Sequence, residues 1–109
     1  MTVQELIHSM GLTAFHLAQP ERPVSGGYVG DLLSWVMGRA GQDCAWLTIM
    51  SNQNVAAVAL MADVSCVILT EGVQPDADLL RRAQEKEGNL LGVGLDTFAA
   101  ACRLGQLLA

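Results

Sequence analysis

Residues 45–70 read AWLTIMSNQNVAAVALMADVSCVILT, and this stretch decides the fold. Ala45 to Met50 is a short apolar run containing Trp46 and Ile49, the composition of a strand buried on both faces. Ser51 and Asn52 follow as polar, cap-like residues. Gln53 to Ala62 is alanine-rich and long enough for a helix. Cys66 to Thr70 is a second buried run. Two buried strands joined by a helix make a parallel crossover unit, which is right-handed in nearly all known cases.

The same alternation continues downstream. Glu71 to Pro75 is a loop, and Asp76 caps a helix running to about Glu87, closed by Gly88. Leu90 to Val93 is a third short strand, and Gly94-Leu95-Asp96 leads into a last helix, Thr97 to Leu108. Upstream, Thr2 and Glu5 have the spacing of a capping box for a helix from Val3 to Met10, which Gly11 ends. Thr13 to Ala18 has strand-like content, and two prolines mark Gln19 to Pro23 as a loop. Asp31 caps a helix to Ala40, with Leu33, Val36, Met37 and Ala40 on one stripe. The reading is an α/β fold, a mostly parallel sheet with helices packed on it. A length of 109 residues fits one domain, 1–109.

Composition sets further bounds. Apolar residues make up 51 % of the chain and aromatics only 5 %, so the core is built from Leu, Val, Ile, Ala and Met. The net charge of −5 leaves no positive face for a phosphate backbone, which argues against nucleic acid. The longest apolar run, Val55 to Ala62, is too short to span a bilayer, and the acidic N-terminal segment does not read as a signal peptide. Cys44, Cys66 and Cys102 are scattered without a C-x-x-C pair. They read as small buried hydrophobes in a reducing cytoplasm, with no metal site.

Two helices carry more apolar surface than a small domain can cover. Val55 to Ala62 is apolar on all sides, and the last helix has only Arg103 and Gln106 as polar residues after Thr97. A helix apolar all round must be covered all round, so the expectation is a homodimer, with Trp35 as a candidate interface residue. Catalytic patterns are missing. There is no phosphate loop of the G-x-x-x-x-G-K-[ST] type, no G-x-S-x-G and no H-x-x-x-H, and the single lysine is Lys86. The expectation is a chain that is not an enzyme and has no cofactor.

The segment Glu21-Arg22-Pro23-Val24-Ser25-Gly26-Gly27-Tyr28-Val29-Gly30-Asp31-Leu32-Leu33-Ser34 resembles the signature of the DRTGG family. Glu21-Arg22 stands for its Asp-Arg pair and Ser25-Gly26-Gly27 for its Thr-Gly-Gly. Ala45 to Ile49, Asn54 to Ala59, Ile68 to Gly72 with Pro75, Glu87 to Leu91 and Leu95 to Phe98 extend the resemblance along the chain. A weaker similarity reaches the non-catalytic N-terminal domain of HPr kinase/phosphorylase. The resemblance implies an accessory, often dimerising module that regulates or adapts a partner protein. A sensor of a nucleotide or another phosphorylated metabolite is the alternative. Candidate ligand-binding residues come from two places. Ser25, Gly26, Gly27 and Asp31 form a glycine-rich stretch before a helix. Thr48, Asn52, Asn54, Thr70 and Gly72 follow strands, where open α/β sheets hold ligands.

Overall fold

The computed structural model covers residues 1–109. Its first helix, α1 (Val3–Met10), is closed at both ends by its own sequence. The Glu5 amide donates to the Thr2 hydroxyl and the Thr2 amide donates to the Glu5 carboxylate, a reciprocal cap that draws the Glu5 pKa below its ordinary value. Gly11 ends the helix in the left-handed region at φ 64°.

Five strands follow: β1 (Thr13–His16), β2 (Gly26–Val29), β3 (Cys44–Thr48), β4 (Cys66–Leu69) and β5 (Leu90–Gly92). They lie in the order β1-β5-β4-β3-β2, with β2 to β5 parallel and β1 antiparallel on β5. The helices between and after them are α2 (Leu33–Arg39), α3 (Asn54–Ala62), α4 (Ala77–Glu85) and α5 (Thr97–Leu108). Each crossover steps one strand in the same direction. A constant hand therefore puts α2, α3 and α4 on one face, while α1 and α5 cover the other.

The alternation of side chains along each strand feeds two separate cores. Cys44 and Trp46 point to the three-helix face, and Ala45 and Leu47 to the two-helix face. In β4, Val67 and Leu69 go one way and Cys66 and Ile68 the other. Trp46 is the largest fully buried side chain, and its indole N–H donates to the Gly30 carbonyl at 2.8 Å.

Three readings of the sequence are corrected here. Gly26-Gly27 belongs to an edge strand and not to a turn before a helix. A Cβ on Gly27 would lie 2.7 Å from Leu104 Cδ2, so the glycine lets α5 lie close on β2. Asp31 does not cap α2, whose N-cap is Leu32 with no side-chain bond; Asp31 turns inward to β3 instead. Helix α4 ends at Glu85, two residues early, because Glu87 takes the left-handed conformation (φ 54°) and the Gly88 amide folds back onto the Ala83 carbonyl. No helix is long and apolar enough to cross a membrane.

Candidate functional site

The C-terminal ends of the parallel strands gather Asp31, Thr48, Thr70, Glu71 and Thr97. Thr48 and Thr70 are buried, because each closes a strand that is covered on both faces. The Thr48 hydroxyl donates to Asp31 Oδ1 at 2.8 Å, and the Ile49 amide donates to the same oxygen at 3.0 Å. The Thr48 hydroxyl also accepts from the Met50 amide at 3.2 Å. Asp31 thus ties the end of β2 to the end of β3.

A second chain of bonds ties β4 to α5. Thr97 gives both its amide (2.7 Å) and its hydroxyl (3.2 Å) to Glu71 Oε2. With that proton committed, the 2.7 Å bond between the Thr70 and Thr97 hydroxyls must run from Thr70 to Thr97. Glu71 itself sits in the left-handed region (φ 61°), and its amide donates to the Leu95 carbonyl at 2.8 Å. Its carboxylate occupies the place at the start of α5 where an anion would bind. Asp96 caps the same helix through the Ala99 amide at 2.8 Å. No lysine or arginine takes part in this network. Three carboxylates without a cation repel phosphate.

The other strand-end candidates are placed as follows. Asn52 accepts from the Asn54 amide at 2.9 Å and shapes the entry to α3. Gly72 lies beside Glu71 at φ 71°, its amide held by the Val93 carbonyl. Ser25, Gly26 and Gly27 are not brought to this cluster. They lie at the start of β2, at the opposite edge of the sheet, where the Ser25 hydroxyl donates to the Gln42 carbonyl at 3.2 Å.

That opposite edge holds two residues, Arg22 and Asn89, that stood in the resembled motifs but were not taken as site candidates. Arg22 donates to Asp43 Oδ1 (3.1 Å), Asp63 Oδ1 (2.6 Å) and the Asp63 carbonyl (2.8 Å). Burial works against its charge, but the bonds to Asp63 and Asp43 win and raise its pKa further. The hydrogen bond from Arg22 holds the Asp63 carboxyl below the usual carboxylate range. Nearby, buried Asn89 accepts from the Ala18 and Gln19 amides and donates to the Gln19 and Ser65 carbonyls, all at 2.9–3.0 Å. Position in the resembled motifs was the one signal that could have found both residues. Cys44 and Cys66 are buried and Cys102 is exposed. Burial pushes the Cys66 thiol up to about 12, and Cys44 upward as well, which leaves neither a ready nucleophile.

Around the strand-end network stand exposed apolar side chains: Val29, Leu32, Ile49, Leu95 and, 80 % exposed, Phe98.

The fold is an α/β module on a mostly parallel five-stranded sheet, and sequence comparison gives its family. The family model described as DRTGG domain matches residues 35–107, and the chain belongs to that family. The Glu21–Ser34 stretch lies just before the matched residues. No curated protein matches the chain. Among solved structures, the CBS and DRTGG domains of the regulatory region of Clostridium perfringens pyrophosphatase, complexed with its activator diadenosine tetraphosphate, share the fold. The TM-score is 0.70 at 14 % identity, covering 94 % of this chain and 45 % of that one. The chain therefore spans less than half of that relative.

Proposed function

We propose that this DRTGG domain is a non-catalytic regulatory module that homodimerises and modulates a partner protein. One observation carries the reading: several large apolar side chains beyond the C-terminal ends of the strands are exposed, Phe98 most of all at 80 %. A side chain of that size left in water forfeits about 2 kcal/mol of burial, which a contact recovers. The regulatory role of the C. perfringens relative points the same way.

Sedimentation equilibrium between about 1 and 100 µM, the range that about 7 kcal/mol of association spans, tests the dimer. Self-association that Phe98→Glu abolishes is expected. Cys102 sits one turn after Phe98 and is exposed, so a short bismaleimide should join two copies through it. A wild-type chain that stays monomeric throughout would sink the dimer.

A second reading, a sensor of a nucleotide or phosphorylated metabolite, draws on the activator bound by that relative. Binding to the native state raises the melting temperature. A thermal-shift series with adenine mono-, di- and dinucleotides tests it, and a flat response at millimolar ligand removes it.

A further inference from the structure

The slot between α3 and α4, walled by Ala56, Ala59 and Ala83, is about 60 Å³ with rim charges that cancel, and it points to no ligand. An unpaired surface lies instead along β2. This strand is at one end of the sheet and pairs with β3 on its inner flank only. Its backbone alternates in direction. The Ser25 amide turns inward to the Asp43 carbonyl (2.9 Å), and the Val24 amide turns outward to the Met1 carbonyl (2.8 Å). Met1 and Thr2 cover the outer flank only as far as Val24. Past them the N–H and C=O groups of Gly26 and Tyr28 face out with no strand beside them. End strands are usually blunted by charges, prolines or bulges. At the other end of the sheet, β1 has a break in register between Ala14 and His16. Gly26–Val29 has neither charge nor proline, and its register with β3 is unbroken.

Helix α5 extends this surface. Leu104 rests on Gly27. Arg103 donates to the Ser9 carbonyl at 3.0 Å, near the end of α1 that leads to β1 on the far side of the sheet. Successive residues of a helix stand about 100° apart, so Gly105 turns the other way, toward the outer flank of β2. Phe98, Ala101 and Cys102 share that side at helical spacing. None of them is charged, and Phe98 is the most exposed of the large apolar side chains.

We infer that this flank pairs with the same flank of a second copy, β2 antiparallel to β2 about a two-fold axis normal to the sheet, with α5 against α5, an assignment that rests on the homodimer proposed for this chain. Two observations select a second copy as the occupant. The surface offers an open strand and an apolar helix side together, and a two-fold axis sets strand on strand and helix on helix. A chain of net charge −5 also meets its own copy with least repulsion where it carries no charge, as along Gly26–Val29 and this side of α5.

Gly105→Glu is the first test. A Cβ there meets open space and glutamate favours a helix over glycine, so circular dichroism and the urea midpoint should show an intact subunit. Carboxylates brought together across the axis should weaken self-association about tenfold or more in sedimentation equilibrium. Gly26→Pro removes an outward N–H and no bond to β3, and should weaken the dimer several-fold. Amide exchange followed by NMR reads the strand pairing, at a concentration where wild type is dimeric. The Gly26 and Tyr28 amides should exchange about tenfold more slowly in wild type than in Gly105→Glu. The Ser25 amide, bonded within the subunit, should exchange equally in both. A wild-type chain that stays monomeric would remove the dimer and this surface with it. A dimer that survives both variants, or one in which the Gly26 and Tyr28 amides exchange as freely as in Gly105→Glu, would overturn this surface and leave the homodimer standing on another.

Discussion

The two edges of this sheet spend their polar residues differently. At the C-terminal edge, Asp31, Thr48, Thr70, Glu71 and Thr97 bond to one another and to nearby amides, and apolar side chains stand bare around them. At the N-terminal edge, Arg22 and Asn89 reach across long stretches of chain and tie separate loops together, with an apolar slot left open beside them. The strand-end rule for α/β sheets directs attention to the first edge. Here that edge is chemically closed, and the concavity is on the other side. The cross-strand bonds of the first edge join segments 17 to 27 residues apart, and those of Arg22 and Asn89 join segments 21 to 71 residues apart, so the second edge closes the longer loops.

The largest effect expected from that contrast is at Asn89. Alanine there leaves the part-buried Ala18 and Gln19 amides and the buried Ser65 carbonyl without their partner. An unmet buried group costs about 1–3 kcal/mol, and some of these will find water, so a loss of about 3 kcal/mol is expected in urea unfolding. A loss below about 1 kcal/mol would remove the distinction between the edges.

Arg22 comes next. Its side chain is only 18 % exposed, but Asp63 is 50 % exposed, which limits what the pair can contribute. Arg22→Ala should cost about 2 kcal/mol. Arg22→Lys should recover less than half, because an ammonium cannot reach both carboxylates and the Asp63 carbonyl with a planar fork. Equal stability of the lysine variant and the wild type, measured by denaturant midpoint, would show that charge alone suffices.

At the closed edge the effects shrink. Thr70→Val keeps the shape of the side chain and removes one donated bond to Thr97. Thr97 keeps its two bonds to Glu71, so the loss should be about 1 kcal/mol. If Thr70→Val cost as much as Asn89→Ala, the strand-end network would be bearing the fold as well.

Much of this arrangement was legible in the sequence, and the gaps have physical causes. Strands β3, β4 and β5 announce themselves because a strand buried on both faces must be apolar throughout, as Cys66 to Leu69 is. Helix α1 is written in Thr2, Glu5 and Gly11. Strand β2 was hidden because Gly26-Gly27 has almost no strand preference; pairing with β3 and the approach of Leu104 make it a strand. Asp31 looked like a helix cap because it stands just before the α2 stripe, and only the three-dimensional neighbourhood of Thr48 shows where its carboxylate goes. The slot was invisible because an alanine in an apolar helix reads the same whether its neighbour fills the space or leaves it.

The smallest effect is one of pH, and it sharpens the account of the Arg22 edge. Asp63 has its folded pKa drawn below 3.8, first by the hydrogen bond from Arg22 and then by its charge. A depressed carboxylate contributes stability that is fully present above its unfolded value and is lost as pH falls through the folded one. Asp63→Asn removes that titration and keeps a side chain that tolerates the left-handed backbone at φ 59°. Wild type should therefore exceed Asp63→Asn by a constant margin from pH 7 to about 5, and the margin should close as the pH drops below 3.8. Denaturant midpoints of the two proteins between pH 7 and 3 give the comparison. No margin at pH 7 would mean that Arg22 holds this segment through the Asp63 carbonyl bond at 2.8 Å, which both proteins keep, and not through the carboxylate charge.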